Sequence, residues 1–187
     1  GNIVQTRYVA KPGSGDADII ISATFPASCT NPKTCNQPSS TTDARGKVTN
    51  FTYDPVHGGV LTRTEPAAAS GQARPETRFA YATFEARYLS GGQWTNGGAV
   101  WLPTSTKACA SGSSCDGLAS EKVTEFAYPS ISTPNNLQPL SMTMRAGDNT
   151  ALSTTAFTYT EFGDVLTSDG PLAGAGDTTR FFYDAMR

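Results

Sequence analysis

A short aromatic pattern recurs along the chain and constrains its fold more than any other feature. Each copy has the form Thr-x-Phe-x-Tyr, as in residues 49–53, 77–81 and 155–159. The aromatic side chains therefore fall on every second residue, which is the alternation of a half-buried β-strand. Aromatic and β-branched residues also suit the pleated surface of a sheet. The pattern predicts several short antiparallel strands, each with one apolar face.

Longer internal similarities surround these strands, and such self-similarity is typical of repeat architectures. Residues 7–53 resemble residues 87–128, and residues 51–81 resemble residues 157–183. The second pair shares one order: an aromatic strand, a turn with Gly, a Val-Leu-Thr strand, a Pro-containing loop and another aromatic strand. We therefore expect residues 1–187 to form one repeat-built segment.

Glycine and proline separate the predicted strands. Residues 54–59, 146–149 and 161–164 have the composition of hairpin turns. Residues 64–73 are rich in Ala, but Pro66 and Gly71 interrupt them, so we expect a loop or at most one helical turn. The predicted fold is all-β, with antiparallel hairpins in a curved or spiralling sheet.

Composition excludes several classes of protein. The 14 Lys and Arg residues do not outnumber the 16 Asp and Glu residues, whereas a nucleic-acid-binding surface needs a basic surplus. The chain also lacks the run of about 18 apolar residues that a membrane-spanning helix requires. We therefore expect neither a nucleic-acid partner nor membrane insertion.

The two ends of the sequence suggest a piece of a longer chain. The first residue is Gly1 rather than Met, and residues 181–187 stop within the repeat pattern. No signal peptide is recognisable at the start. We interpret Gly1 as a residue left by cloning, with a processed natural end as the alternative.

The four cysteines form two similar pairs, each with five residues between them. Cys29 and Cys35 lie in one turn-rich segment, and Cys109 and Cys115 lie in another. We favour two disulfides that staple loops, which implies an exported protein. Free thiols in surface loops remain an alternative. A four-Cys zinc site is disfavoured, because zinc ligands are usually closer together in the chain.

The repeated unit resembles the RHS/YD-repeat family. That family's pattern is a Tyr-Asp dipeptide, a Gly a few residues on, a short apolar strand and then Thr-Arg-aromatic-x-Tyr-Asp. The resemblance is clearest in the last 30 residues and in residues 44–81. It assigns a structural role to Phe51, Tyr53, Asp54, Gly58, Arg78, Phe79, Tyr81, Phe126, Tyr128, Phe157, Tyr159, Gly163, Arg180, Phe181, Tyr183 and Asp184.

The resemblance implies a non-enzymatic, secreted or surface-exposed bacterial protein without a cofactor. RHS repeats spiral into a shell that encloses a C-terminal toxic domain or, in teneurin-like proteins, supports adhesion. The implied partners are the flanking repeats and C-terminal domain of the same chain. A fragment of such a shell has open sheet edges, so we expect pairing between copies or shielding by the Cys loops. The family's Asp-Pro-x-Gly-Leu self-cleavage motif is not carried over, because His57 follows Asp54-Pro55-Val56.

A few residues outside the repeat pattern could carry chemistry. His57 is expected to be a turn residue without a catalytic partner, and the pairs Asp16/Asp18 and Glu121/Glu125 are expected to be solvated. Trp94 and Trp101 could form an aromatic platform for a cell-surface carbohydrate or protein, although packing in the core or within a hairpin is preferred. We therefore predict no catalytic residues and no metal site, with an adhesion module and, less favoured, a hydrolase as alternatives.

Overall fold

The computed structural model describes residues 1–112, 114–130 and 137–184, without the side chain of Leu89. It contains twelve antiparallel strands in a single open sheet and, within the described residues, no helix. The strands are β1 (Gln5–Tyr8), β2 (Ile19–Thr24), β3 (Ser40–Thr42), β4 (Val48–Tyr53), β5 (Val60–Thr64), β6 (Glu76–Ser90), β7 (Gln93–Cys109), β8 (Lys122–Ala127), β9 (Ser141–Ala146), β10 (Ser153–Tyr159), β11 (Val165–Asp169) and β12 (Thr179–Arg180).

The order of strands in the sheet is their order in the chain. The all-β prediction is therefore confirmed, as is the antiparallel hairpin arrangement. The predicted turns 54–59, 146–149 and 161–164 connect β4 to β5, β9 to β10 and β10 to β11. The Ala-rich stretch after β5 is a loop, because its Pro and Gly prevent a continuous helix. No described helix is long and apolar enough to cross a membrane.

Contacts divide the chain into two compact units. One comprises residues 1–78 with 108–115, and the other comprises residues 79–107 with 116–187. The first contains β1 to β5, the start of β6 and the end of β7. The second contains the rest of β6, most of β7 and the strands from β8 to β12.

Very few side chains are buried in either unit. Among the described residues, the buried apolar ones are Cys35, Cys109, Cys115 and Val123. Large apolar side chains are instead exposed near both ends of the strand order, at Ile19–Ile21 and at Phe181–Tyr183. A single sheet layer has no second layer to cover its apolar face, whereas stable domains normally pack two.

Two four-strand sets share one backbone plan. We call residues 37–78, which include β3 to β5 and the start of β6, repeat A, and residues 138–180, with β9 to β12, repeat B. In repeat A the register is Thr52↔Thr62 and then Tyr53↔Val60, with a bulge between. In repeat B it is Thr158↔Thr167 and then Tyr159↔Val165, with the bulge at the same place. The last strand also matches, since Arg78 faces Thr62 and Arg180 faces Thr167.

Candidate functional site

A Gln-Pro dipeptide precedes the first strand of each repeat and organises the turn opposite. The Gln37 side-chain amide donates to the Gly58 carbonyl at 2.5 Å. The Gln138 amide donates to the Gly163 carbonyl at 2.8 Å. Both glycines have a positive φ, 79° and 90°, which side chains with a Cβ rarely adopt. The amide therefore holds each glycine turn against the segment that enters the first strand.

The recurring tyrosines complete this arrangement. The Tyr53 hydroxyl donates to the Pro38 carbonyl at 2.8 Å, and the Tyr159 hydroxyl donates to the Pro139 carbonyl at 2.7 Å. Tyr128 makes the same kind of bond to Pro103 at 3.0 Å. Burial raises the pKa of all three tyrosines, because a low-dielectric surrounding disfavours the phenolate. The phenols thus serve as neutral donors that tether neighbouring segments.

The turn after each of these strands uses one side-chain oxygen in the same way. In repeat A, Asp54 Oδ1 accepts the amides of Val56 and His57 at 2.7 and 3.1 Å. In repeat B, Thr160 Oγ1 accepts the amides of Phe162 and Asp164 at 3.2 and 3.1 Å. The Asp that follows the strand tyrosine in repeat A is therefore replaced by Thr in repeat B without loss of the turn. The charged acceptor has its pKa lowered by the Val56 amide.

Both cysteine pairs are disulfide-bonded, with Cα atoms 4.9 Å apart for Cys29–Cys35 and 5.8 Å apart for Cys109–Cys115. The first loop contacts the turn of repeat A: Asn31 donates to the Pro55 carbonyl at 2.8 Å. The second loop approaches the last strand of repeat A, where Arg78 Nη2 lies 4.0 Å from Cys109 Sγ. Each disulfide therefore holds a loop against a specific part of the repeat.

Arg74 donates four hydrogen bonds from its side chain in repeat A, although the sequence pattern does not single it out. Its guanidinium donates to the carbonyls of Val48, Thr64 and Glu65 at 2.6, 2.9 and 2.8 Å and to Asn50 Oδ1 at 2.7 Å. The planar guanidinium presents five N–H donors, so one side chain can serve several acceptors. Arg74 thereby ties the loop after β5 to β4 and β5.

His57 does have an acidic neighbour, contrary to the prediction that it has no partner. Its Nε2 lies 3.5 Å from Asp54 Oδ1, and its side chain is 8% exposed. Its Nδ1 accepts the Gly59 amide at 3.0 Å. The acid is nevertheless engaged with turn amides, and the imidazole is bound on its other nitrogen. The pair builds the turn that the sequence predicted.

The two carboxylate pairs have separate structural roles. Asp18 pairs with Arg7 and accepts the Ala10 amide at 2.7 Å. Glu125 pairs with Arg145 at 2.6 Å, and this guanidinium lowers the pKa of the carboxyl. Glu121 contradicts the prediction of a solvated surface, since it is 2% exposed and accepts the Gly117 amide at 2.9 Å.

The burial of Glu121 depends on a close backbone approach. A Cβ placed on Gly147 would lie 2.6 Å from Glu121 Oε2 and 2.7 Å from the Leu118 carbonyl oxygen. The Gly147 amide also donates to the Glu121 carbonyl at 2.9 Å. The segment after β9 can therefore cover the Glu121 side chain only because residue 147 has no side chain.

The two tryptophans lie on β7 and are exposed, at 44% for Trp94 and 42% for Trp101. Packing in the core or within a hairpin, which the sequence favoured, therefore covers only part of each tryptophan. Gly91 and Gly92 form the two-residue turn before β7, with φ values of 57° and 78°, as a type I′ hairpin requires. Tyr88, on the strand before this turn, is 51% exposed.

The remaining motif residues occupy corresponding places. The motif Phe and Tyr residues in, or directly after, the strands from β4 to β10 are half-buried, whereas the last motif residues are exposed. The half-buried set is Phe51, Tyr53, Phe79, Tyr81, Phe126, Tyr128, Phe157 and Tyr159, and the exposed set is Arg180, Phe181, Tyr183 and Asp184. Tyr128 also packs on Phe84, with ring centroids 4.7 Å apart.

Comparison with known proteins finds no family model and no curated protein that matches the chain. Within residues 1–112, 114–130 and 137–184, no group of three or more His, Cys, Asp or Glu side chains is placed to hold a metal ion.

Proposed function

We propose that this segment is a non-enzymatic structural part of a large secreted or surface-exposed RHS-type protein. In this proposal its sheet contributes to the wall of a shell that encloses or displays a C-terminal toxin or effector domain. The observation that carries it is a set of hydrogen bonds and a bulge that recur at corresponding positions of repeats A and B. The Gln-to-Gly, Tyr-to-Pro and bulge positions coincide in both repeats.

The distribution of apolar side chains supports a wall rather than an independent domain. Ile19, Ile20 and Ile21 are exposed on consecutive residues of β2, and therefore on both faces of the sheet. At the other end of the strand order, Phe182 is 90% exposed. Repeat proteins bury such surfaces against the neighbouring repeat. The expected partners are accordingly flanking repeats, and in their absence a second copy.

Solution behaviour of the isolated segment tests this proposal. We expect light scattering after size exclusion to show concentration-dependent association, together with binding of a dye that detects apolar surface. An Ile20→Lys variant should reduce both, because a charged side chain there opposes burial of the exposed apolar surface of β2. A Val56→Lys variant, at an exposed apolar residue in the turn between β4 and β5, controls for a general gain in solubility. A monodisperse monomer that binds no dye would overturn the proposal.

A carbohydrate-binding adhesion module is the second candidate, because the exposed rings of Trp94 and Trp101 favour it. Between Tyr88 and Thr106 the sequence contains no charged residue, and Gln93, Thr95 and Asn96 supply uncharged donors and acceptors. Aromatic faces with amide and hydroxyl groups suit an uncharged glycan. Titration of neutral oligosaccharides, followed by tryptophan fluorescence, should give saturable binding that Trp94→Ala and Trp101→Ala abolish. Phe162→Ala, which removes an exposed aromatic ring elsewhere, should leave it unchanged.

A further inference from the structure

The same groove is filled in repeat A and open in repeat B. In repeat A, the face that carries Thr52, Thr62 and Arg78 is closed at one end by the Arg74 guanidinium. The Cys109–Cys115 loop approaches this face, since a Cβ on Gly112 would lie 3.5 Å from the Arg74 carbonyl oxygen. The chain thus supplies its own arginine and its own cover at this position.

In repeat B, the residue at the position of Arg74 is Gly176, three residues before Thr179 at the start of β12, just as Arg74 lies three residues before Thr77. Ala156 corresponds to Asn50 of repeat A, and Asp169 corresponds to Thr64. The correspondence follows from the register, because Ala156 pairs with Asp169 as Asn50 pairs with Thr64. A cleft of about 400 Å³ opens here, between the strands and Gly174 and Ala175 of the loop. The missing side chains leave space where repeat A has a guanidinium.

The open groove is rich in hydrogen-bond acceptors at this end. The Asp169 carboxylate replaces the neutral Thr64, and it accepts from the Thr178 hydroxyl on one oxygen. Nearby in the loop, Asp177 Oδ2 accepts the Leu172 amide at 3.0 Å. The other oxygen, Asp177 Oδ1, is buried without a donor among the described residues. Asp177 does not line the cleft itself, so Asp169 is the carboxylate that the cleft presents at this end.

The other end of the groove has the opposite character. Arg180 stands where repeat A has Arg78. In repeat A, Glu76 lies 3.8 Å from the Arg78 guanidinium, whereas Thr178 takes the place of Glu76 in repeat B. By register, Arg180 lies opposite Thr167 and Asp169 lies two residues along the same strand, about 7 Å away. The groove therefore has an acidic end and a basic end.

We propose that the repeat B groove binds an arginine side chain from a partner polypeptide, in the position that Arg74 fills in repeat A. Guanidinium suits this end better than the ammonium of lysine, because it presents planar, paired donors to a carboxylate and carbonyls. An acidic residue of the partner, two residues from the arginine, would meet Arg180. We infer another polypeptide as the partner, because six of the described arginines already have acceptors within this chain. Arg7, Arg45, Arg63, Arg78 and Arg145 each pair with a carboxylate, and Arg74 donates to carbonyls and to Asn50.

A short peptide with Arg and Glu two residues apart tests the proposal directly. We expect its addition to the full 187-residue segment to shift the amide NMR signals of Thr158, Thr167, Asp169 and Gly174 in a saturable way. Matched peptides with citrulline or lysine in place of the arginine should bind at least tenfold more weakly. Equal binding of all three peptides, or no saturable shift, overturns the proposal. Arginine-dependent self-association at the same signals would replace the partner with a second copy and would also count against it.

Substitution of Gly176 gives a second, independent test of the proposed arginine site. A Cβ at this position meets no atom within 4 Å, and its φ is not positive, so a side chain can be added without strain. Gly176→Arg should fill the groove from within, abolish peptide binding and raise Tm above that of Gly176→Ala. Gly176→Lys should do less on both counts. If Gly176→Arg matches Gly176→Ala in Tm and in peptide affinity, the groove does not accept a guanidinium.

Discussion

Substitution of Gly58 by Ala tests whether the Cys29–Cys35 loop holds the turn of repeat A. A Cβ at Gly58 would lie 2.6 Å from the Lys33 carbonyl oxygen and 3.1 Å from Gln37 Nε2. The first of these atoms belongs to the backbone of a disulfide-closed loop, which cannot move aside freely. The residue also has a φ of 79°, which a side chain with a Cβ disfavours. Both effects destabilise the folded state.

Gly46 separates the two effects, because it has nearly the same backbone conformation in open space. Its φ is 74°, and a Cβ there would meet no atom within 4 Å. Gly46→Ala should therefore cost only the left-handed strain, about 1 kcal/mol. Gly58→Ala should cost about 3 kcal/mol in total, since displacement of a packed backbone adds about 1–3 kcal/mol.

Thermal unfolding followed by circular dichroism measures this difference. For a chain of this size we expect Tm to fall by about 3 °C in Gly46→Ala and by about 9 °C in Gly58→Ala. Graded reduction adds a local readout, because Gly58→Ala should speed reduction of the Cys29–Cys35 bridge and Gly46→Ala should not. Equal losses of Tm in the two variants would refute the contact between loop and turn as a source of stability.

Three further measurements follow from the same structure. Arg74→Ala leaves several carbonyls without donors and should lower the free energy of unfolding by about 2–4 kcal/mol in urea titration. Arg74→Lys should recover less than half of this lost free energy. A loss below about 0.5 kcal/mol, the size expected of an ordinary surface substitution, would contradict the prediction. Burial raises the pKa of Tyr159 above its usual 10.0, so the neutral phenol contributes stability below pH 10 that is lost as pH rises through the raised value. Tyr159→Phe should therefore be less stable at neutral pH and should lose less stability as the pH rises. An unchanged pH profile of stability would argue against the hydrogen bond of Tyr159 as a tether. Mass spectrometry after partial reduction and alkylation should find the Cys29–Cys35 bridge opened before the Cys109–Cys115 bridge, because Cys29 is exposed whereas Cys109 and Cys115 are both buried. The reverse order of opening would refute the burial argument. Reduction of either bridge should lower the free energy of unfolding by about 2.4 kcal/mol in the chain-entropy model.

The strands could be predicted from the sequence because their aromatic residues alternate with period two. Residues 49–53 and 155–159 lie in β4 and β10, and the turns between strands begin where Gly and Pro occur. These are local properties, and local spacing is what a periodic pattern records. The sequence predicted a structural role for Tyr53 and Tyr159, and the structure shows that each hydroxyl donates a hydrogen bond to a proline carbonyl.

The long-range contacts could not be predicted in this way. Arg74 reaches Val48 and Asn50 across 24 to 26 residues of chain, and nothing in its surroundings distinguishes it from a surface arginine. The burial of Glu121 depends on Gly147, which lies 26 residues further along the chain, after β8 and β9. The Gln-Pro dipeptide was a detectable signal, since it occurs at residues 37–38 and 138–139 before strands already recognised as similar.

The agreement between strand order and chain order has a consequence for how this protein is made. Each strand pairs with the one synthesised just before it, so its folding never waits for a segment that has yet to emerge. The same holds for the cysteines: four can pair in three ways, and the bridges join those separated by only six residues. A chain threaded amino terminus first through a pore could therefore fold and oxidise strand by strand on the far side. Its correct pairing would be reached without the reshuffling of disulfides that distant partners demand.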